Sequence, residues 1–185
     1  DQASRTMVRT NAEILTEHFH NLSSEMRDLR ATRNGEIDNR VEDVNKIARE
    51  IFELNKEIAA VELDDQNAND SRDRRDQLMK DLSKLIDYSF VENDRGQVSI
   101  ETGGSLIVSP VDTQEIELTT QSYTRSDGTT FTEMSMRFKD SKKPFNPSSG
   151  QLKGLIDSRN EIIPEYENWL DQLAIGLAEN LNSLH

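Results

Sequence analysis

The sequence predicts an α+β protein: an elongated helical bundle of long coiled-coil-like helices, with a small antiparallel β unit inserted before the last helix. Three observations predict it. Apolar residues recur at alternating steps of three and four through the first third of the chain, the signature of a helix with one buried stripe. From Asp87 to Phe138 the period changes to strict alternation, the signature of half-buried strands. From Leu152 onward the helical spacing returns. Composition agrees: of 185 residues only 34% are hydrophobic and 31% are charged, thin for a compact globule but sufficient for helices that each bury a narrow stripe.

The first stripe is Leu15, Phe19, Leu22, Met26 and Leu29; after Asn34-Gly35 it resumes at Ile37, Val41, Val44, Ala48 and Ile51, joined by Ile47, Leu54, Ile58 and Val61. Glycine in a helix interior costs about 1 kcal/mol relative to alanine, and the stripe shifts register at Gly35, so a kink or a short break is expected there. Unbroken from about residue 5 to 62, this helix would run roughly 85 Å. Asp64-Asp65-Gln66-Asn67 reads as a loop. A second helix is predicted over about 69–86, with the stripe Leu78, Leu82, Leu85 and Ile86.

The β unit follows. Tyr88–Glu92 alternates, Asn93-Asp94-Arg95-Gly96 is a turn signal, and Gln97–Glu101 alternates again, which together predict a hairpin. Gly103-Gly104 is a second turn before a short strand, Ser105–Ser109. Glu115–Thr120 is a fourth strand, Ser126-Asp127-Gly128 a turn, and Thr130–Phe138 the last strand. Lys142-Lys143-Pro144-Phe145-Asn146-Pro147 reads as a linker. The last helix starts at Ser148 or Ser149 and carries Leu152, Leu155, Ile156, Ile162, Ile163, Tyr166, Leu170, Leu173, Leu177, Leu181 and Leu184. Pro164 lies inside it, and an interior proline removes one backbone bond and clashes with the preceding turn, so a kink or break near Ile163 is expected. The expected organisation is a helical bundle domain of 1–87 plus 148–185, with 88–147 as the inserted β unit and linker.

The most unusual local sequence is Asn69-Asp70-Ser71-Arg72-Asp73-Arg74-Arg75-Asp76-Gln77-Leu78, a dense run of charge leading into an apolar stripe. Its signs alternate at helical spacing. Asp70 precedes Arg74 by four residues and Asp76 precedes Lys80 by four, the favourable orientation for pairs worth about 0.2–0.5 kcal/mol each. Asn69 or Asp70 suits the N-cap. Asn69, Arg72, Asp73, Arg75 and Asp76 are therefore candidates for a helix-packing or subunit-contact motif.

Enzymatic and metal-binding readings find little support. The formal net charge of −13 disfavours nucleic acid and anionic membranes as partners, and no apolar run approaches the ~20 residues of a membrane span. With no cysteine there is no disulfide, thiolate site or cysteine nucleophile. His18 and His20, two apart on a helix, face different directions and suit no common metal; His185 is remote in sequence. Asp65–Asp76 resembles a calcium loop but has Asp70 where the loop needs glycine and Asp76 where it needs glutamate. No phosphate-binding loop, dinucleotide fingerprint or serine elbow occurs, and a hydrolase working through a carboxylate pair has no motif behind it. Asn21-Leu22-Ser23 and Asn69-Asp70-Ser71 match the glycosylation triplet but fall in predicted helices. No cofactor is implied.

Several blocks carry a family resemblance. They are Glu53-Leu54-Asn55-Lys56-Glu57-Ile58-Ala59, Asn69 through Leu78, Leu82-Ser83-Lys84-Leu85-Ile86-Asp87, Leu152 through Asn160, Leu170-Asp171-Gln172-Leu173-Ala174 and Leu177 through His185. In order and spacing they resemble the first hook-associated proteins of the bacterial flagellum, the hook–filament junction family. That resemblance implies a non-enzymatic, extracellular structural subunit. It would leave the cell through the flagellar export apparatus and join hook to filament. The implied partners are other copies of the chain in a tubular assembly, the hook protein and the next hook-associated protein. An export chaperone would act through the family's terminal segments. Those terminal helices have no counterpart in this sequence, so a core fragment is expected. Within such an assembly Asp73, Arg75 and Asp76 would set the orientation of neighbouring helices or subunits; exposed pairs contribute only ~0–1 kcal/mol each. The competing reading is a helical coiled-coil binding module, an adaptor or receptor ectodomain.

Overall fold

The structure is a computed structural model that describes residues 2–63, 67–124, 128 and 130–183. In chain order the elements are helix α1 (Gln2–Glu62), helix α2 (Asn69–Leu85), strands β1 (Ser89–Glu92), β2 (Val98–Thr102), β3 (Ser105–Val108), β4 (Ile116–Thr124) and β5 (Thr130–Phe138), helix α3 (Gln151–Asp157), a π-helical turn (Ser158–Ile162) and helix α4 (Ile163–Ser183). The fold is α+β, as the change of period predicts. The expected loop at Asp64–Gln66, the Ser126-Asp127 turn, and Leu184 and His185 lie outside the described residues.

The chain forms two compact units, Asp1–Asn34 with Ser158–His185, and Gly35–Asp157. All five strands fall in the second unit, together with α2, α3 and the later part of α1.

The second unit holds the main core. Ile37, Val41, Val44, Ala48 and Ile51 of α1 are buried with Met79, Leu82 and Leu85 of α2, Val98 and Ile100 of β2, Ile107 and Val108 of β3, and Met134, Met136 and Phe138 of β5. Each buried valine, leucine, isoleucine, methionine or phenylalanine among them contributes about 1.5–3 kcal/mol. Phe138 and Phe145 close one side, with ring centroids 5.5 Å apart in an edge-to-face arrangement. Strands β1, β2 and β3 form one antiparallel sheet in that order, and β4 and β5 form a separate hairpin. Strand β2 carries the clean alternation, with Val98, Ile100 and Thr102 buried, whereas all of β1 is exposed and its alternation buries neither face.

In the first unit, the early part of α1 lies beside α4. Leu15 and Phe19 face Leu170, Ala174, Leu177 and Leu181 across a groove of about 320 Å³. Arg159 is buried in the π turn and donates from Nε to Asn34 Oδ1 at 2.9 Å.

Three local expectations need correction. No break forms at Gly35, since α1 is helical throughout; a Cβ at Gly35 would meet nothing within 4 Å, and the buried stripe beginning two residues later more than offsets its propensity cost. Neither Asn69 nor Asp70 caps α2; the cap position is Ala68, with no side-chain hydrogen bond, and Arg72 N–H donates to Ala68 C=O at 3.0 Å. The last helical segment starts at Gln151, and the anchoring carboxylate comes from elsewhere. Asp87 Oδ1 accepts from Ser148 N–H at 2.7 Å and Ser149 N–H at 3.0 Å.

The proline expectation takes a definite form. The π turn ends two residues before Pro164 and α4 resumes at Ile163. An extra residue in one turn relieves the clash between the proline ring and the carbonyl four residues back.

Candidate functional site

The charge run at the start of α2 is built into the second unit through two of its arginines. Arg75 is 2% exposed. Its Nη1 donates to Asn55 Oδ1 of α1 at 3.3 Å and to the carbonyl of Gly96, at the tip of the β1–β2 hairpin, at 2.5 Å. Its Nη2 reaches Glu92 Oε2 at 3.3 Å. Arg72, one turn earlier, grips Glu62 at the end of α1 in two-point fashion, Nε to Oε1 at 2.7 Å and Nη2 to Oε2 at 2.8 Å, and donates from Nη1 to Glu92 Oε1 at 2.7 Å. The two guanidinium groups thus tie α1, α2 and the hairpin together. Planar guanidinium forks make such multi-point bonds; a lysine at either position would not.

The electrostatics follow from these contacts. The hydrogen bond from Arg72 holds Glu62 below the usual carboxylate value, against a smaller opposing effect of burial. The bonds Arg72 donates to Glu62, and then to Glu92, raise Arg72. Burial lowers Arg75, with Glu92 as the principal opposing charge.

Gly96 is required twice over. Its φ of +70° favours glycine, and a Cβ there would come within 2.5 Å of Arg72 Nη2 and 2.7 Å of Glu62 Oε2.

Asn55, fully buried, completes the cluster. It accepts from Val98 N–H at 3.0 Å and donates to Val98 C=O at 2.7 Å. Asn45, also on α1, does the same at the other hairpin: Ile116 N–H to Oδ1 and Nδ2 to Ile116 C=O, both 2.8 Å. Each carboxamide stands in for a neighbouring strand, satisfying both backbone groups of the first residue of β2 or β4.

The other candidates lie at the surface. Asn69, Asp73 and Asp76 are exposed. The pairs Asp70–Arg74 and Asp76–Lys80 are not formed; Arg74 instead reaches Glu50 of α1 at 3.5 Å. A pair along the helix is worth only a few tenths of a kcal/mol, too little to fix two exposed side chains against water. Asn55, Glu62, Glu92 and Gly96 were not singled out by the charge pattern. One signal for Asn55 was available: it replaces an apolar residue in the run Ile51, Asn55, Ile58. Among the described residues no group of three or more histidine, aspartate or glutamate side chains is arranged to hold a metal ion, and no helix is long and apolar enough to cross a membrane.

This geometry positions elements, tying two helices to a hairpin, and defines a helix-and-hairpin scaffold module. The family model described as the flagellar hook-associated protein FlgK helical domain matches residues 1–185, and the chain belongs to that family. Flagellar hook-associated protein 1 of Salmonella typhimurium is 27% identical over 190 residues, covering 100% of this chain and 34% of that protein. Its Bacillus subtilis counterpart is 25% identical over 208 residues, covering 100% of this chain and 41% of that protein. The chain therefore spans about a third of the length of the curated relatives it matches. Its fold is shared with the flagellar hook junction protein FlgK from Burkholderia pseudomallei, with a TM-score of 0.65 and 22% identity over 86% of this chain and 29% of that one.

Proposed function

We propose that this chain is part of a non-enzymatic structural subunit that joins hook to filament in the bacterial flagellum. The observation that carries the proposal is the family match along the whole chain, 1–185, on a fold whose polar cluster serves packing. The subunit acts outside the cell after passage through the export apparatus. It assembles with further copies of itself in a tube, between the hook protein and the next hook-associated protein, and an export chaperone delivers it. Asn69, Asp73 and Asp76, exposed on the outer face of α2, are the residues of the charge run available to a neighbouring subunit, while Arg72 and Arg75 hold that face in register.

The test is deletion of the full-length gene. Hooks should persist without attached filaments, and immunogold electron microscopy of complemented cells should place the protein at the distal end of the hook. Normal filaments in the deletion strain would overturn the proposal.

A further inference from the structure

Asn34-Gly35 is the only asparagine–glycine pair in the chain. Such a pair is the one most open to spontaneous deamidation, because glycine has no side chain to shield its backbone nitrogen. The Gly35 nitrogen attacks Cγ of Asn34. A nitrogen–Cγ bond forms, the Cγ–Nδ2 bond breaks, and Nδ2 leaves as ammonia with the proton of the Gly35 nitrogen. Water then opens the cyclic imide at one of its two carbonyls. One opening leaves aspartate; the other leaves isoaspartate, whose main chain runs through the former side chain. That extra main-chain methylene breaks the helical ladder just before the buried stripe resumes at Ile37.

Two features hold the pair shut. Both residues are helical within α1, so the Gly35 N–H is directed at the carbonyl four residues back and away from the Asn34 side chain. The second hold is on the carboxamide itself. Arg159 Nε donates to Asn34 Oδ1 at 2.9 Å, and Arg159 Nη1 donates to Asn160 Oδ1 at 2.8 Å. Arg159 lies in the π turn and is 3% exposed; a guanidinium so placed swings away only by losing bonds that offset its desolvation. Packing adds no third hold, since Gly35 is exposed and a Cβ there would meet nothing within 4 Å. We infer that Asn34-Gly35 is a latent deamidation site, kept closed by the grip of Arg159 on the Asn34 carboxamide. Loss of that grip frees the side chain to turn toward the Gly35 nitrogen whenever the helix opens locally.

The test follows Asn34 in the 185-residue chain at neutral pH. Mass spectrometry of the peptide that holds it reads amide-to-acid conversion, and hydrogen exchange of the Gly35 amide is measured alongside. Exchange needs only a free backbone N–H, whereas deamidation also needs a free carboxamide. The urea-unfolded chain gives the unprotected rate of each. Folding should slow deamidation at least about fivefold more than it slows exchange. Arg159→Met keeps the stem and removes the donors; at unchanged circular dichroism it should close that gap by speeding deamidation more than exchange. Gly35→Ala should slow the reaction in urea, and an undiminished rate there would overturn the inference. Equal slowing of deamidation and exchange in the unsubstituted chain would overturn it whether or not the methionine variant folds. So would unchanged deamidation in Arg159→Met with its circular dichroism intact.

Discussion

Replacing Asn55 by leucine tests whether helix α1 acts as a surrogate strand. The Asn93 N–H donates to Gln97 C=O at 2.9 Å, and Glu92 pairs with Val98. In an antiparallel ladder, bonded and non-bonded pairs alternate, so Glu92 and Val98 form a non-bonded pair and the Val98 backbone groups face away from β1. Strand β3 ends with Val108 opposite Ile100 and does not reach them. Asn55 alone satisfies both, at 3.0 and 2.7 Å, and gives Arg75 an acceptor. Leucine conserves the volume and removes every bond. Two buried backbone groups left unpaired cost about 1–3 kcal/mol each, partly offset by leucine's better transfer into the core. The expected net loss is about 2–4 kcal/mol, a large share of the 5–15 kcal/mol typical of a domain.

With a urea slope near 2 kcal/mol/M, that loss lowers the midpoint by about 1–2 M. Far-UV circular dichroism follows the transition, and hydrogen exchange resolves the Val98 amide. Trp169 fluorescence reports the other unit and serves as an internal reference. A midpoint shift below about 0.3 M, with the Val98 amide still slow, would refute the reasoning.

Two further predictions concern glycine and acid. Gly35→Ala should raise stability by about 1 kcal/mol, since the residue is helical with open space at its Cβ, whereas Gly96→Ala should lower it by at least about 1–2 kcal/mol by forcing a left-handed alanine against the Arg72–Glu62 pair; thermal melts of the two variants should move in opposite directions. Stability should also fall in acid. Hydrogen bonds from Lys142 and Arg137 hold Glu117 low, those from Lys139 and Arg49 hold Glu115 low, and at Asp87 burial pushes up but the Ser148 and Ser149 bonds prevail. Groups with lowered folded values stabilise fully above the ordinary Glu and Asp values of 4.5 and 3.8, and this stabilisation is lost as pH falls below them through the folded values. Melting temperature should stay level from pH 7 to about 5 and drop below about 4, with a shallower drop in Asp87→Ala; an equally steep drop in that variant would remove Asp87 from the account.

Much of the fold was legible because its elements are strongly periodic. The five strands lie where alternation and the Asn-Asp-Arg-Gly and Gly-Gly turns place them, and Pro164 marks the interruption of the last helix. The caps were less legible. Ala68 has no capping side chain, while the carboxylate that anchors the segment before α3 comes from Asp87, more than sixty residues upstream. No local rule anticipates a cap supplied through tertiary structure. The continuity of α1 through Gly35 was obscured for a related reason: propensity registers the glycine's cost, but the neighbouring stripe decides the outcome.

The charge run shows where legibility was lost and how it returns. Read for sign alone, Asp70 to Asp76 pairs along the helix; the structure forms none of those pairs. Read for phase, the same residues sort themselves. The stripe of α2 runs backward from Leu82 and Met79 to Arg75 and Arg72 in steps of three, four and three, and these two arginines are the ones turned inward. Asp73, Arg74 and Asp76 lie off that phase and are exposed. Asn55 obeys the same rule between Ile51 and Ile58, and Asn45 between Val41 and Ala48. A polar side chain occupying a stripe position is carried into the interior by its neighbours' burial, and there it must find partners or destabilise the unit. The backbone groups at the free ends of β2 and β4 and the hairpin carbonyl of Gly96 need partners too, which is why helix and hairpin meet at these residues.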